Sequence, residues 1–174
     1  MYAFGTAAIF QARARRYRSW LRALAFVGII FPLLIGGVAL GFGLRASYLP
    51  LLLSIAALAG VCQLAFSALS IVYAWADNLE YALESAAENF ELSSTFKQLG
   101  TLAPEPPADL QIRFAAAQAK DDARRAADDK KGLTDKELRR GHRAGLRQFQ
   151  FKCDKCQNVP ASMDSTDCPV CGRF

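Results

Sequence analysis

The stretch Ala23 to Leu44, ALAFVGIIFPLLIGGVALGFGL, runs 22 residues without a charge between Arg22 and Arg45. A second uncharged stretch of 31 residues, Ala46 to Ala76, follows at once and ends at Asp77. Roughly 20 apolar residues cross a bilayer as a helix, because a hydrocarbon core of about 30 Å is matched at 1.5 Å per residue. The two stretches predict an all-α membrane protein built on a two-helix transmembrane hairpin. The spans are set at about 23–44 and 50–74, with a turn at Ala46-Ser47-Tyr48-Leu49-Pro50. A cleaved signal peptide fits poorly, since its apolar region is shorter and no second one follows it. Two core helices of a soluble protein fit no better in a chain of 174 residues.

Charge gives the expected orientation. Residues 1–22 carry Arg13, Arg15, Arg16, Arg18 and Arg22 and no acid, whereas the turn has only Arg45. The arginine-rich end stays in the cytoplasm by the positive-inside asymmetry, and two spans return the tail there. Trp20 and Trp75 then mark the cytoplasmic interface and Tyr48 the opposite one. The second stretch exceeds the bilayer, since 31 helical residues reach about 46 Å. It is expected to continue into the cytosol, with Asp77, Glu80, Glu84, Glu88 and Glu91 on one face and Leu79, Leu83, Ala87 and Phe90 on another. An antiparallel hairpin turning at 47–50 sets Arg22 opposite Asp77, Arg18 opposite Glu80 or Tyr81, and Arg15 opposite Glu84. Residues 1–99 thus form the hairpin with its cytosolic extensions.

Inside the spans, the first helix carries Gly36, Gly37, Gly41 and Gly43, and Pro32 is expected to kink it. The second carries a small or polar stripe at Ala56, Gly60, Gln63, Ser67, Ser70 and Ala74. Small residues let helices approach closely, and Gln or Ser hydrogen-bonds across a contact. One reading is packing within the hairpin. The other is a homo-oligomer, such as a tetramer, associating through the Gly37 and Gly41 step, with Gln63, Ser67 and Ser70 facing a water-filled axis. Neither span holds a charged residue, which argues against a proton relay or a coupled transporter.

Residues 100–108, Gly-Thr-Leu-Ala-Pro-Glu-Pro-Pro-Ala, read as a linker. Residues 109–148 read as cytosolic charged helices, with Asp109 as N-cap of the first and Gly132 as its end. Lys120 to Lys131 supplies i,i+4 charge pairs of the kind found on solvated faces. Thr134-Asp-Lys-Glu137 has capping-box spacing and opens a further helix. A basic cluster follows, Arg139, Arg140, Arg143, Arg147 and Lys152, with Phe149 and Phe151 beside it and no acid among them. Arginine forks hold phosphates and aromatic faces stack on bases, so these residues are candidate ligands for a nucleotide or single-stranded oligonucleotide. A plain solvated helix face and a surface near anionic lipid headgroups are the alternatives. Nothing here has the pattern of an enzyme. The chain holds one histidine, His142, no Gly-rich phosphate loop, and no Ser or Cys beside a plausible base.

The tail, residues 149–174, holds two knuckles, Cys153-Asp-Lys-Cys156 and Cys168-Pro-Val-Cys171, with 11 residues between them. Each puts two sulfurs on a tight turn, and facing knuckles supply the four thiolates of a closed tetrahedral zinc site. A small C-terminal zinc ribbon with one structural Zn2+ per chain is the expectation. Two disulfides in a secreted tail, or a thioredoxin-like redox pair, are the competing readings. Thiolates persist in a reducing compartment, which agrees with a cytoplasmic tail. Four cysteines complete the shell without His142, and Cys62 within a span is expected to be inert.

The spacing Cys153-xx-Cys156-x(11)-Cys168-xx-Cys171 resembles the tail of a bacterial family carried on mobile elements and named for it. The hairpin with long cytosolic helices, over about residues 10–100, resembles the SLATT-type effectors of anti-phage defence, including that of the Hailong system. These resemblances imply a pore-forming effector in a bacterial inner membrane, both termini cytoplasmic. They also imply gating by a nucleotide or oligonucleotide signal from a partner nucleotidyltransferase. The different-class alternative is a membrane-anchored zinc-ribbon scaffold that recruits a protein partner.

Overall fold

A computed structural model describes residues 1–42, 49–101 and 107–174, and these described residues form five helices. They are α1 (Tyr2–Phe42), α2 (Leu49–Val72), α3 (Trp75–Thr101), α4 (Pro107–Asp129) and α5 (Asp135–Phe149). Among the described residues there is no strand. Of the expected turn at 46–50 and linker at 100–108, residues 46–48 and 102–106 lie outside the described residues, as do Gly43 and Arg45; Leu49 and Pro50 belong to α2, Gly100 and Thr101 to α3, and Pro107 and Ala108 to α4, so the helices run further into both segments than expected.

The chain divides into two compact units, Ala14–Glu80 and Met1–Arg13 with Tyr81–Phe174. The first 13 residues, expected as part of the hairpin, therefore pack in the unit that holds α4, α5 and the tail.

In the unit Ala14–Glu80, α1 and α2 are long and apolar enough to cross a membrane, over Tyr2–Val38 and Pro50–Val72. Their apolar side chains are open: Leu64 is 72% exposed, Ile71 80% and Leu40 90%. Neither apolar stretch is buried within the chain, unlike the core helix of a soluble protein. Pro32 lies within α1 without ending it.

The second helix does not continue as one rod beyond Val72. It breaks at Tyr73 and Ala74, where Ala74 takes a left-handed φ of 47°. The Ala74 N–H bonds Ile71 O at 3.0 Å, and the Asn78 side-chain amide donates to Tyr73 O at 3.0 Å, satisfying a carbonyl the break leaves free. Trp75 restarts the helix beside Trp20, their ring centroids 6.2 Å apart. Gln63 meets α1 at Gly28, where a Cβ would collide with its side-chain amide. These two contacts set the hairpin register roughly one to two turns from the one expected.

In the other unit, Ala3, Ala7, Phe10, Ala82, Ala86, Leu92, Ala117 and Leu146 are buried, a core of mostly small side chains. A polar network joins α3 to α4. Asp128, 1% exposed, accepts from Tyr81 Oη, Ser85 Oγ and Asn89 Nδ2 at 2.8 Å each, and from Arg124 Nη2 at 3.0 Å. Arg124 reaches Glu88 at 3.0 Å and Glu84 at 3.7 Å. The Lys120 to Lys131 run, expected as a solvated face, thus turns one of its charge pairs inward. Burial and the Asp128 bond push the Tyr81 hydroxyl up to about 12. α4 begins at Pro107, which places Asp109 in the first turn rather than at the cap. Gly132 stands at φ +59 after the helix.

Candidate metal centre

α5 is the platform on which the tail is built. Its N-terminus has the full capping box: the Thr134 side chain accepts from Glu137 N, and the Glu137 side chain accepts from the Thr134 backbone. Arg13 clamps the same carboxylate, Nε to Oε1 at 2.6 Å and Nη2 to Oε2 at 2.7 Å. That bidentate guanidinium lowers the Glu137 carboxyl to about 2. At the C-terminus, Gln150 takes φ 55°, its N–H bonds Arg147 O, and Phe151 N–H returns to Leu146 O at 2.9 Å. This Schellman ending turns the chain back across Leu146. Leu146 then packs against Cys153 and Cys171.

Each knuckle closes by the same local bond. Gln157 N–H reaches Cys153 O at 2.8 Å, and Gly172 N–H reaches Cys168 O at 2.9 Å. The ends are tied by Cys153 N–H to Asn158 O at 3.1 Å and Thr166 N–H to Gly172 O at 3.0 Å. A Cβ on Gly172 would lie 2.5 Å from Thr166 O, so this close approach requires glycine.

The four sulfurs of Cys153, Cys156, Cys168 and Cys171 lie within 4.8 Å of one another. Cys153 and Cys168 are 3.9 Å apart and Cys156 and Cys171 3.8 Å, each pair crossing between knuckles. A disulfide needs about 2.05 Å. A tetrahedron of thiolates about 2.3 Å from one ion has edges of roughly 3.8 Å, which these separations match. The set fits a single metal ion with its coordination shell closed by protein. Backbone N–H groups of Cys171 and Val170 draw the Cys168 thiol down to about 6, whereas burial pushes Cys171 up.

Arg143 changes role on the structure. It was expected among the phosphate ligands, but it is 6% exposed and turned into the tail. Its Nε donates to Ser162 O at 2.8 Å and its Nη1 to Cys171 O at 3.2 Å, with Thr166 Oγ1 at 3.4 Å. It staples the loop between the knuckles to α5, because a guanidinium is the one side chain that reaches several carbonyls in one plane. The rest of the cluster divides. Arg140, Arg147 and Lys152 are exposed, and Arg139 is half-buried with its Nε lacking a partner. Phe149 packs edge-on against Phe4 at 5.8 Å and stacks with the exposed Phe151 at 6.2 Å.

α5 also meets the start of α1 at almost bare backbone. A Cβ on Gly141 would stand 2.6 Å from Ile9 Cδ1 and 2.7 Å from Gly5 O, and one on Gly145 would stand 2.9 Å from Met1 Cγ. The sequence reading missed this crossing, although Gly141-xxx-Gly145 is the kind of small-residue step it recognised inside the spans.

Of the interface residues, Gln63, Ser67 and Ser70 are half-buried on α2, and Gln63 lies against α1 at Gly28. A Cβ on Gly36, Gly37, Gly41 or Gly60 would meet nothing within 4 Å. The expected hairpin charge pairs are corrected. Glu84 is engaged by Arg124, and no ion pair among the described residues joins Arg18 or Arg22 to Asp77 or Glu80. The shifted register and the break at Ala74 remove the alignment those pairs needed.

The family model described as Mobilome CxxCx(11)CxxC protein matches residues 1–174. No curated protein matches, and no solved structure does.

Proposed function

Since this chain belongs to the mobilome CxxCx(11)CxxC family, we propose that its cysteine centre holds one structural zinc ion and that the protein is a homo-oligomeric, pore-forming membrane effector of anti-phage defence. The observation that carries the reading is the double use of α1. Its first 13 residues pack in the unit that contains the cysteines, and the same helix continues as an apolar span. Movement of α5 is therefore passed by its packing contact to residues 1–13, which belong to the same helix as the span, and this is a coupling a gate requires.

The signal is a nucleotide or single-stranded oligonucleotide made by a partner nucleotidyltransferase, and its contacts are Arg139, Arg140, Arg147 and Lys152, with Phe151 or Phe149 for stacking. The glycines without neighbours at Gly36, Gly37 and Gly41 support close association with a second copy. Zinc supplies folding free energy to the tail and no chemistry on a substrate, since four thiolates fill its shell. We assign no catalysis to the chain, which sits in a bacterial inner membrane with both termini cytoplasmic.

Liposomes test the proposal. The full chain reconstituted into vesicles is expected to pass ions in one of two states, with or without a single-stranded oligonucleotide. A protein that is monomeric in lipid and leaks in neither state would leave the membrane-anchored scaffold as the function.

A further inference from the structure

The hairpin carries an apolar groove at the end marked by its two tryptophans. Trp20, Leu24, Val27 and Phe31 of α1 face Phe66 of α2 and Trp75 of α3 across a cavity of about 300 Å³. From Trp20 to Phe31 the groove runs about 16 Å along α1, half the thickness of a hydrocarbon core of about 30 Å. It is one leaflet deep. A partner helix about 10 Å across would need about 1,200 Å³ over that length, far more than the cavity of about 300 Å³ holds, whereas an acyl chain is a slender apolar filament.

Charge at the mouth identifies the headgroup. Arg16 stands one turn before Trp20 on the same face of α1, exposed and without a partner among the described residues. Arg13, the other arginine of that face, is committed to Glu137. Arg15, Arg18 and Arg22 are exposed on the opposite side of α1, and Asp77 and Glu80 lie on the side of α3 away from Trp75. The groove face thus presents one free guanidinium and no carboxylate. Two indoles flank it, which sit naturally at headgroup level. A second apolar cavity, lined by Leu34, Val38, Leu52 and Ile55 among others, lies farther along the hairpin and has no such charged mouth among the described residues.

We propose that this groove is a binding site for an anionic phospholipid of the cytoplasmic leaflet, one acyl chain lying between α1 and α2 and the phosphate held by Arg16. The proposal rests on the reading that the hairpin crosses a membrane and is independent of pore formation.

Trp20 and Trp75 are the chain's two tryptophans, so their fluorescence reports the site alone. The full chain is reconstituted into phosphatidylcholine vesicles doped with phosphatidylglycerol brominated near the carbonyl end of one acyl chain. Parallel vesicles carry phosphatidylcholine brominated at the same place and mole fraction. The brominated anionic lipid is expected to reach half-quenching at about fivefold lower mole fraction, the size of one arginine near a membrane surface. Arg16→Gln removes that preference, and the double variant Arg18→Gln with Arg22→Gln retains it. Ala59→Phe fills the groove and lowers quenching by both lipids. Equal quenching by the two lipids in the unaltered protein overturns the site, as does a preference that survives Arg16→Gln. Absence of quenching by either lipid means that a second copy covers the groove, and overturns it too. Vesicle flotation separates the premises: protein that fails to float with the vesicles overturns the membrane reading together with the site.

Discussion

Arg143 shows how one side chain can look like a ligand contact and serve as scaffold. Its charge places it in a basic cluster, but its position on α5 directs it to Ser162 O and Cys171 O. Lysine keeps the charge and cannot reproduce the planar fork. Arg143→Lys is therefore expected to cost about 2–3 kcal/mol, as loss of hydrogen bonds from a buried charged donor does. The check is chelator competition: the proposed zinc should leave the variant faster than it leaves Arg140→Lys, which changes an exposed neighbour. Glu137 gives a second residue-scale prediction. Its carboxyl is held at about 2 by Arg13, below the ordinary 4.5. Because the folded value is the lower one, the stabilisation is fully present above pH 4.5 and is lost as pH falls toward 2. Acid unfolding should be steepest in that window, and Glu137→Gln, which keeps the capping box, should flatten it.

Among the elements, the crossing of α5 over the start of α1 is the most exacting. Gly141 opposes Gly5 O and the Ile9 side chain at under 3 Å from an added Cβ. Gly141→Ala should raise the helix propensity of α5 and still destabilise the protein by about 1–3 kcal/mol, because the neighbour at the contact is backbone and cannot rotate away. Chemical denaturation measures the net sign; a gain in stability would mean the two helices are not in contact. Gly145→Ala should behave likewise, softened by the flexible Met1 side chain. Such crossings explain what was legible in the sequence and what was not. Apolar runs, capping-box spacing and the CxxC knuckles are local patterns, so the spans, the start of α5 and the metal centre follow from counting. The docking of residues 1–13 on helices more than a hundred residues away leaves no local pattern. Nor does the Asp128 network: Ser85, Asn89, Arg124 and Asp128 read as surface residues until α3 and α4 are placed side by side. The break at Ala74 was invisible for a similar reason, since it depends on Asn78 capping a carbonyl five residues back.

At the scale of the whole molecule, the question is whether events on α5 are felt by the spans. The cluster that remains exposed, Arg140, Arg147 and Lys152, offers the test. Arg140 and Arg147 stand two turns apart on one face, about 10 Å along the axis, free of the contacts that hold the tail together. Binding of a single-stranded oligonucleotide should weaken with salt at a log–log slope of about −0.7 for each phosphate neutralised. Replacing both arginines with Glu should abolish that binding while leaving zinc content and oligomeric state unchanged, which Arg143→Glu would not do, because it breaks the staple to Cys171. Growth of cells expressing the double variant then gives the sign of the coupling. If the proposed ligand restrains the proposed pore, the variant is constitutively toxic. If the ligand opens it, the variant is silent even when the signal is supplied. In the restraining case, adding Gly141→Ala decides whether the route runs through α1: loosening the α1–α5 crossing should shrink the toxicity of the double variant, since a detached platform no longer moves the span. An effect that persists undiminished would place the coupling on α3 instead, whose first turn carries Trp75 and whose later turns carry the partners of Arg124.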